Sequence, residues 1–348
     1  MTLRNTDDAP LDTYELECVR GKELITMTIP EERDLVSNLF REQSLNFLAG
    51  EEGCGKSLLA MNLAMSVALG LSKFLNYEVR KEGKVLYLNN ELSLQDFSLR
   101  LRRMSVTFTE VQRSAMDNLI VPVHTQLLSE CWNGVNDFCG REGPVLFILD
   151  CLYFAHDRDE KDNTEMKSVM RQLIALRNNH KLTVLVVHHT KKGTRGELMH
   201  NDHMRGAGVF GQAADTVLML RRSQTNEEQR VIKQTKQRHG SDAHRRTRLL
   251  SLNGETLWFE DRGEVSEASH ISTPFEVPSG GSQLLPTVLG GRPIWRRKEI
   301  LEACQRFKMS DKTVDRWIDA AVEQGYLVSA GFGTYKVAHL DMDNHIQK

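Results

Sequence analysis

From Leu45 to about Phe259 the chain alternates short apolar runs with longer amphipathic stretches. The runs LNFLA (45–49), KVLYLN (84–89), LIVPV (119–123), VLFILD (145–150), TVLVVHH (183–189), TVLMLRR (216–222) and VIKQTKQ (231–237) have the length and the β-branched content of strands. Their apolarity is nearly continuous, which predicts strands buried on both faces, as in a mostly parallel sheet covered by helices on either side. Among the stretches between them, SLLAMNLAMSVALG (57–70) is the clearest helix. The reading is therefore an α/β core over residues 43–262. Residues 1–42 read as a lead-in: a polar tail, a possible hairpin (YELECV, then ELITMTI) and a short helix. The segment GEVSEASHISTPFEVPSGGS is rich in Ser, Pro and Gly and has no period, so residues 263–283 read as a linker.

A second, smaller unit is expected over 284–339, with a tail at 340–348. RRKEILEACQRF forms its first helix, and KMS turns into a second helix capped by Ser310 or Asp311. Val314, Trp317, Ile318 and Val322 share the inner face of that helix, and Gly325 ends it. YLVSAGFGTYKV then makes a hairpin, an order that predicts a winged helix-turn-helix. Lys312 and Arg316 face outward on the second helix, while Trp317 belongs to the core. Nine basic residues in this unit stand against six acidic ones. That balance suits phosphate contacts but falls short of a dedicated DNA reader, so DNA contact and protein docking both remain open.

Charge and composition narrow the class. Across 348 residues the net charge is −2, which argues against a wholly basic nucleic-acid binder. No apolar stretch is long enough to span a membrane, and MTLRNTDDAP lacks the pattern of a signal peptide. The six cysteines form no C-x-x-C pair and have no metal-ligand spacing with histidine. Reduced thiols in a cytoplasmic protein are the simplest expectation.

The chemistry centres on GEEGCGKS, which fits G-x-x-x-x-G-K-[ST] at Gly50, Gly55, Lys56 and Ser57. Such a loop curls so that successive N–H groups converge on phosphate oxygens. Gly50, Glu51, Glu52, Gly53, Cys54, Gly55, Lys56, Ser57 and Leu58 are thus the candidate nucleotide-binding residues, with Lys56 on the β- and γ-phosphates and Ser57 on Mg²⁺. A strand before the loop and a helix after it supply the context, so a nucleoside triphosphate is the expected ligand. Cys54 is either a reactive thiol in this loop or a small residue at a permissive position.

Further candidates stand at strand ends, where open α/β sheets place their sites. Glu91 follows KVLYLN and can orient or deprotonate an attacking water, or it is an acid at a helix N-terminus. Asp150 ends VLFILD and is the expected second Mg²⁺ ligand. Of His188 and His189, the latter is favoured as the γ-phosphate sensor. Lys236 and Arg238 lie two apart on a strand and point to one side. They form either a solvated face or a finger reaching the γ-phosphate in the next subunit. Between these motifs runs a basic, Gly-rich loop carrying Lys191, Lys192, Arg195 and Arg205. It is either a contact to single-stranded nucleic acid or a plain surface loop.

Taken together, GEEGCGKS, the NNE at Glu91, FILD at Asp150, VVHHTKK, RGAG and KQRHG resemble the RecA-like ATPase core. Within it they resemble the RepA-like plasmid replicative helicases, whose cores are often labelled AAA-type domains. KQRHG is also similar to the K-x-R-x-G segment of DnaB-type hexameric helicases, which implies a lysine finger at Lys236 and an arginine finger at Arg238. The resemblance implies ATP and Mg²⁺, a homohexameric ring, and movement along single-stranded DNA. The chain departs from DnaB-type enzymes in having too few residues ahead of the core for a primase-recruiting domain. It departs from minimal RepA-type helicases in continuing past the core. The leading expectation is a ring-forming, DNA-dependent motor of a plasmid, phage or mobile element, docking replication or mobile-element proteins through its C-terminal unit. The alternative is an assembly ATPase whose oligomeric state ATP switches. A small-molecule kinase is disfavoured, because it has no use for the finger pair.

Overall fold

The computed structural model describes residues 18–30, 33–124, 127–155, 163–191, 197–205, 207–239, 246–271 and 294–305, together with 311, 314–315, 318, 322, 327–331 and 333–337. Nine strands form the central sheet: β1 (Leu45–Gly50), β2 (Val85–Asn89), β3 (Leu119–Ile120), β4 (Leu146–Asp150), β5 (Thr183–His189), β6 (Thr216–Arg222), β7 (Gln229–Gln237), β8 (Thr247–Leu252) and β9 (Phe259–Glu264). Their order is β9-β8-β7-β6-β1-β5-β4-β2-β3. The six strands from β6 to β3 run parallel, and β7, β8 and β9 extend the sheet antiparallel.

Alternation along each buried strand explains the two-sided core. On β1, Phe47 and Ala49 join one apolar cluster and Leu48 the other; on β4, Phe147 and Leu149 oppose Leu146 and Ile148. Helix α1 (Lys56–Ala68) covers the first face, with Leu59, Leu63 and Val67 packed on the sheet. On the opposite face, α3 (Leu128–Glu142), α4 (Asn163–His180) and α5 (Ala207–Ala213) bury Val135, Leu173 and Phe210, whereas Phe97 of α2 (Leu94–Met104) packs on the α1 side. Asn62 is a buried polar residue in the middle of α1. Its amide donates to the Leu257 carbonyl at 3.2 Å and accepts from the Phe259 N–H at 2.8 Å, which fixes the β8–β9 turn against the helix.

Six of the seven runs read as strands from the sequence are strands over most of their length, whereas of LIVPV only Leu119–Ile120 pairs. Differences fall at the ends. ELIT, expected in a hairpin, lies in a short helix at Gly21–Thr26 with Arg20 as N-cap and Glu23 bonded back to it; no residue of that helix is buried. Local capping holds this segment as helix; the other arm of the expected hairpin, YELECV, lies outside the described residues as far as Glu17. The expected short helix before Leu45 is instead a pair of strands, Asp34–Val36 and Phe40–Arg41. Leu35, Val36, Leu39 and Phe40 are buried in the α1-side core, so the packed unit starts at Asp34 and not at residue 43. At the other end β9 runs on to Glu264, and the buried carboxylate of Glu267 takes the Lys233 ammonium at 2.8 Å and the Met199 N–H. The described backbone therefore runs on to Ile271, eight residues past the expected start of the linker at Gly263.

In the C-terminal part, β10 (Ile294–Arg296), β11 (Leu327–Ser329) and β12 (Thr334–Val337) make an antiparallel sheet ordered β10-β12-β11. Helix α6 (Arg297–Gln305) contributes Ile300 and Cys304 to a separate small core with Val314, Ile318 and Leu327. Trp317 lies outside the described residues.

Candidate active site

The phosphate loop joins the end of β1 to the start of α1. Gly55, at the N-cap of α1, has φ 103°, and a Cβ there would sit 2.9 Å from the Phe259 ring. A Cβ on Gly50 would lie 2.2 Å from the Leu220 carbonyl oxygen of the adjacent strand, so only glycine fits where β1 meets β6. Lys56 is 5% exposed. Its ammonium donates to the Glu51 carbonyl at 2.8 Å and faces His189 Nδ1 at 3.4 Å, two uncharged partners. Among the described residues no carboxylate lies within salt-bridge distance of it, and a buried cation in that setting suits an anionic ligand at the N-terminus of α1. Glu52 and Gly53 are exposed, and Glu51, Ser57 and Leu58 are half-buried.

Ser57 donates to Asp150 Oδ1 at 3.2 Å, and Tyr87 donates to Asp150 Oδ2 at 2.6 Å. Burial raises the Asp150 carboxyl to about 6, and the bonds from Tyr87 and Ser57 only partly oppose that rise. A hydroxyl and a buried carboxylate are hard oxygen donors of the kind Mg²⁺ takes, and a divalent cation would hold Asp150 ionised. Ser57 and Asp150 therefore fit the ion that the fold implies.

Glu91, Cys151 and His189 close the other side. One ligand atom from each lies within 4.8 Å of the other two. The Asn90 N–H donates to the Asp150 carbonyl at 2.6 Å, which brings the end of β2 to β4 and sets Glu91 at the mouth of the site, exposed. His189 is held well below its ordinary value, at about 4, first by burial and then by the charges of Lys56 and Arg205. His188 points the other way: its Nε2 lies 2.9 Å from the Arg205 carbonyl, and its ring packs edge-on against Phe210. Cys54 is buried, donates to the Leu220 carbonyl at 3.4 Å, and is raised by burial. It is the small-residue alternative that the geometry matches.

Sequence reading missed several supports. Arg222 donates from Nε and Nη2 to the Gly53 carbonyl at 3.1 and 2.8 Å, and Arg230 Nε donates to the Cys54 carbonyl at 2.8 Å. These two arginines are register partners across β6 and β7. Tyr87 and Cys151 were also passed over, because both sit inside apolar runs that look like core.

The basic loop is anchored at both ends on β5. The Lys191 N–H donates to the His203 carbonyl at 2.7 Å, the Arg205 N–H to the His189 carbonyl at 3.2 Å, and Thr190 bridges to Met204. Lys191 is exposed, and the Arg205 guanidinium lies 5.5 Å from the centre of the Tyr153 ring. Lys192, Arg195, Lys312 and Arg316 lie outside the described residues.

Lys236 and Arg238 are at the opposite end of the sheet from their own phosphate loop, level with the start of β1. They do not form a plain solvated face. Lys236 donates to the Gly211 and Ala214 carbonyls at 2.5 and 2.6 Å, at the carbonyl end of α5, where a cation meets the negative pole of the helix. Arg238 donates to the Gln212 carbonyl and to Asp215 Oδ1, each at 2.9 Å. Buried Asp215 also accepts from Arg177 at 3.1 Å and from the Leu45 N–H at 2.9 Å. A cavity of about 410 Å³, lined by Leu86, Ile120 and Phe138 among others, lies at the β3 edge and includes none of the expected site residues.

A phosphate loop on a mostly parallel sheet, with a serine and a buried aspartate beside it, defines a RecA-like P-loop ATPase. Residues 11–195, more than half of the 348, match the AAA domain family, and the chain belongs to that family. Among solved structures it is similar to the ATPase domain of the protein G-40P, at 13% identity and a TM-score of 0.52, covering 64% of this chain and 87% of that one. The RadB recombinase matches at 17% identity and a TM-score of 0.46, covering 64% of this chain and 92% of that one. At 13% identity the likeness to the G-40P domain is one of fold. No curated protein matches the chain. Among the described residues no helix is long and apolar enough to cross a membrane.

Proposed function

We propose that this protein is a DNA-dependent ATPase motor that works as a homo-oligomeric ring, a RepA-like replicative helicase of a plasmid, phage or mobile element. The observation that carries the reading is the double attachment of His189. Its ring stands between Lys56 and Cys151 in the nucleotide site, while its carbonyl holds Arg205 at the far end of the basic loop. A change at the γ-phosphate has a short covalent and hydrogen-bonded route to that loop.

On this reading Lys56 and the loop amides bind the phosphates of ATP, and Ser57 and Asp150 hold Mg²⁺. The metal would supply charge neutralisation at the phosphates. Glu91, exposed at the mouth, takes the water proton or orients the water, and His189 reports the γ-phosphate. Lys191 and the loop it opens, with Lys192 and Arg195, contact the DNA strand, and Arg205 braces the loop against Tyr153. Arg238 is the finger offered to the neighbouring site, with Lys236 positioning the segment on α5. The C-terminal unit acts as a winged helix, supported by its small separate core and its antiparallel wing; Lys312 and Arg316 face DNA or a replication partner.

Steady-state ATP hydrolysis with and without single-stranded DNA, followed by strand displacement, tests the proposal. DNA-stimulated turnover with unwinding is expected. Hydrolysis indifferent to DNA, with ATP-dependent oligomerisation and no unwinding, would replace the motor by an assembly ATPase.

A further inference from the structure

Glu91, Cys151 and His189 combine oxygen, sulfur and nitrogen donors at the ends of three neighbouring strands, and the Mg²⁺ position of Ser57 and Asp150 uses none of them. We propose that these three side chains form a site for a thiophilic divalent cation, zinc by its ligand preference, and that filling it stops hydrolysis while nucleotide binding persists. The inhibitory half rests on the roles given above to Glu91 and His189; the binding half does not.

The distances fit. With Zn–S of about 2.3 Å and Zn–N of about 2.0–2.1 Å, a tetrahedral angle puts ligand sulfur and nitrogen roughly 3.6 Å apart. Cys151 Sγ and His189 Nε2 are 3.7 Å apart. The Glu91 carboxylate lies within 4.8 Å of both and is on an exposed side chain that can turn to close the remaining gap. Three protein ligands with one open position is an arrangement zinc accepts, whereas Mg²⁺ prefers oxygen donors throughout. Buried Cys151 alone would read as core packing, and exposed Glu91 alone as a surface acid. The sulfur–nitrogen spacing and the convergence of three donor types distinguish the site from both.

The second nitrogen of His189 makes the site conditional. Nδ1 faces the Lys56 ammonium at 3.4 Å, so there it accepts and the ring proton sits on Nε2. Zinc on Nε2 requires that proton to move to Nδ1, where it meets the ammonium. The Cys151 thiol gives up its proton to solvent as the Zn–S bond forms, and no oxidation is involved. Zinc binding and the Lys56–His189 contact thus exclude one another. The ion takes away both the water-positioning acid and the sensor, and it leaves the phosphate-loop amides untouched.

The test is a Co²⁺ titration of the full-length protein without nucleotide, followed by the near-ultraviolet thiolate-to-cobalt charge-transfer band. A band saturating at one equivalent is expected, absent in Cys151→Ser and weakened at least about tenfold in His189→Gln. No band in the wild type, or a band that survives in Cys151→Ser, overturns the site. In parallel, Zn²⁺ is titrated into Mg²⁺-ATP hydrolysis, each variant being referred to its own zinc-free rate, with ATP binding followed separately. Wild type should lose turnover and keep ATP binding, and Cys151→Ser should need at least about tenfold more Zn²⁺. Equal sensitivity of the two overturns the inhibitory role. A zinc-free wild type without ATPase activity would sink the proposed function, while the cobalt band still decides the site.

Discussion

Arg238→Ala separates a structural brace from a finger, because the two roles predict losses of very different size. Its guanidinium makes two hydrogen bonds, and its side chain is 46% exposed against 6% for Asp215. Asp215 keeps the Leu45 N–H and Arg177 when Arg238 is removed. A half-exposed ion pair with a surviving second cation is worth about 1 kcal/mol. For a core of this size that corresponds to a Tm lower by about 2–4 °C. A finger that offsets charge in phosphoryl transfer contributes about 10³–10⁵ in rate, or about 4–7 kcal/mol. The expected outcome is a small change in Tm and ATP affinity beside a loss of several decades in DNA-stimulated kcat. Mixing Arg238→Ala with Lys56→Ala protein should restore part of the activity. The first variant then supplies an intact phosphate loop and the second an intact finger. A kcat that falls no further than the folded fraction, with no recovery on mixing, would refute the trans role and leave Arg238 as a cap on α5.

Other expectations concern the nucleotide site. Gly50→Ala pushes a methyl against the Leu220 carbonyl and should destabilise the fold by about 1–3 kcal/mol in urea unfolding while weakening ATP binding; an unchanged midpoint would contradict the close approach of β1 and β6. Tyr87→Phe removes a donor to ionised Asp150, so in the metal-free protein its carboxyl should rise beyond about 6 and Mg²⁺ affinity should fall more steeply as the solution is acidified; a pH dependence of Mg²⁺ affinity identical to wild type would exclude Asp150 as the titrating ligand. Without metal, Asp150 titrates near 3.8 unfolded and near 6 folded, so the native state binds more protons between those values. Its contribution to stability therefore falls as pH rises from about 4 to 6, by about 3 kcal/mol in all. His189, depressed to about 4, has the opposite sign over about 4–6.5 and gains stability as pH rises. Asp150→Asn should make apo stability climb more steeply across that window than in wild type, as read by urea midpoints at pH 4.5 and 6.5, and a shallower climb would reverse the assignment.

The parallel part of the sheet was legible because its strands are buried on both faces and bounded by turn residues, a pattern that needs no partner to be read. β8 and β9 were not. TRLLSL and FEDRGE each bury a single residue fully, Leu250 and Phe259, and are strands because β7 offers an edge to pair with. The phosphate loop, Asp150 and His189 could be placed because each sits at a strand end in a spacing tied to its chemistry. Arg222 and Arg230 could not, because their meeting with Gly53 and Cys54 spans more than 160 positions and depends on register. Lys236 and Arg238 were seen as a pair on one side. What the sequence hid was Asp215 and the carbonyl end of α5, to which both are moored.

One strand carries a mechanical consequence. β7 sets Arg230 on the phosphate-loop carbonyl of Cys54 near its start and delivers Arg238 just beyond its end, roughly 25 Å away at ordinary strand rise. Hydrogen-bonded on both sides along much of its length, it is far stiffer along its axis than the loops it connects. In a ring built as proposed it would act as a push-rod: its near end grips one nucleotide loop and its far end bears on the next. The sites would then be elastically in series, and the compliance of this strut would set how sharply one subunit's turnover is timed against its neighbour's.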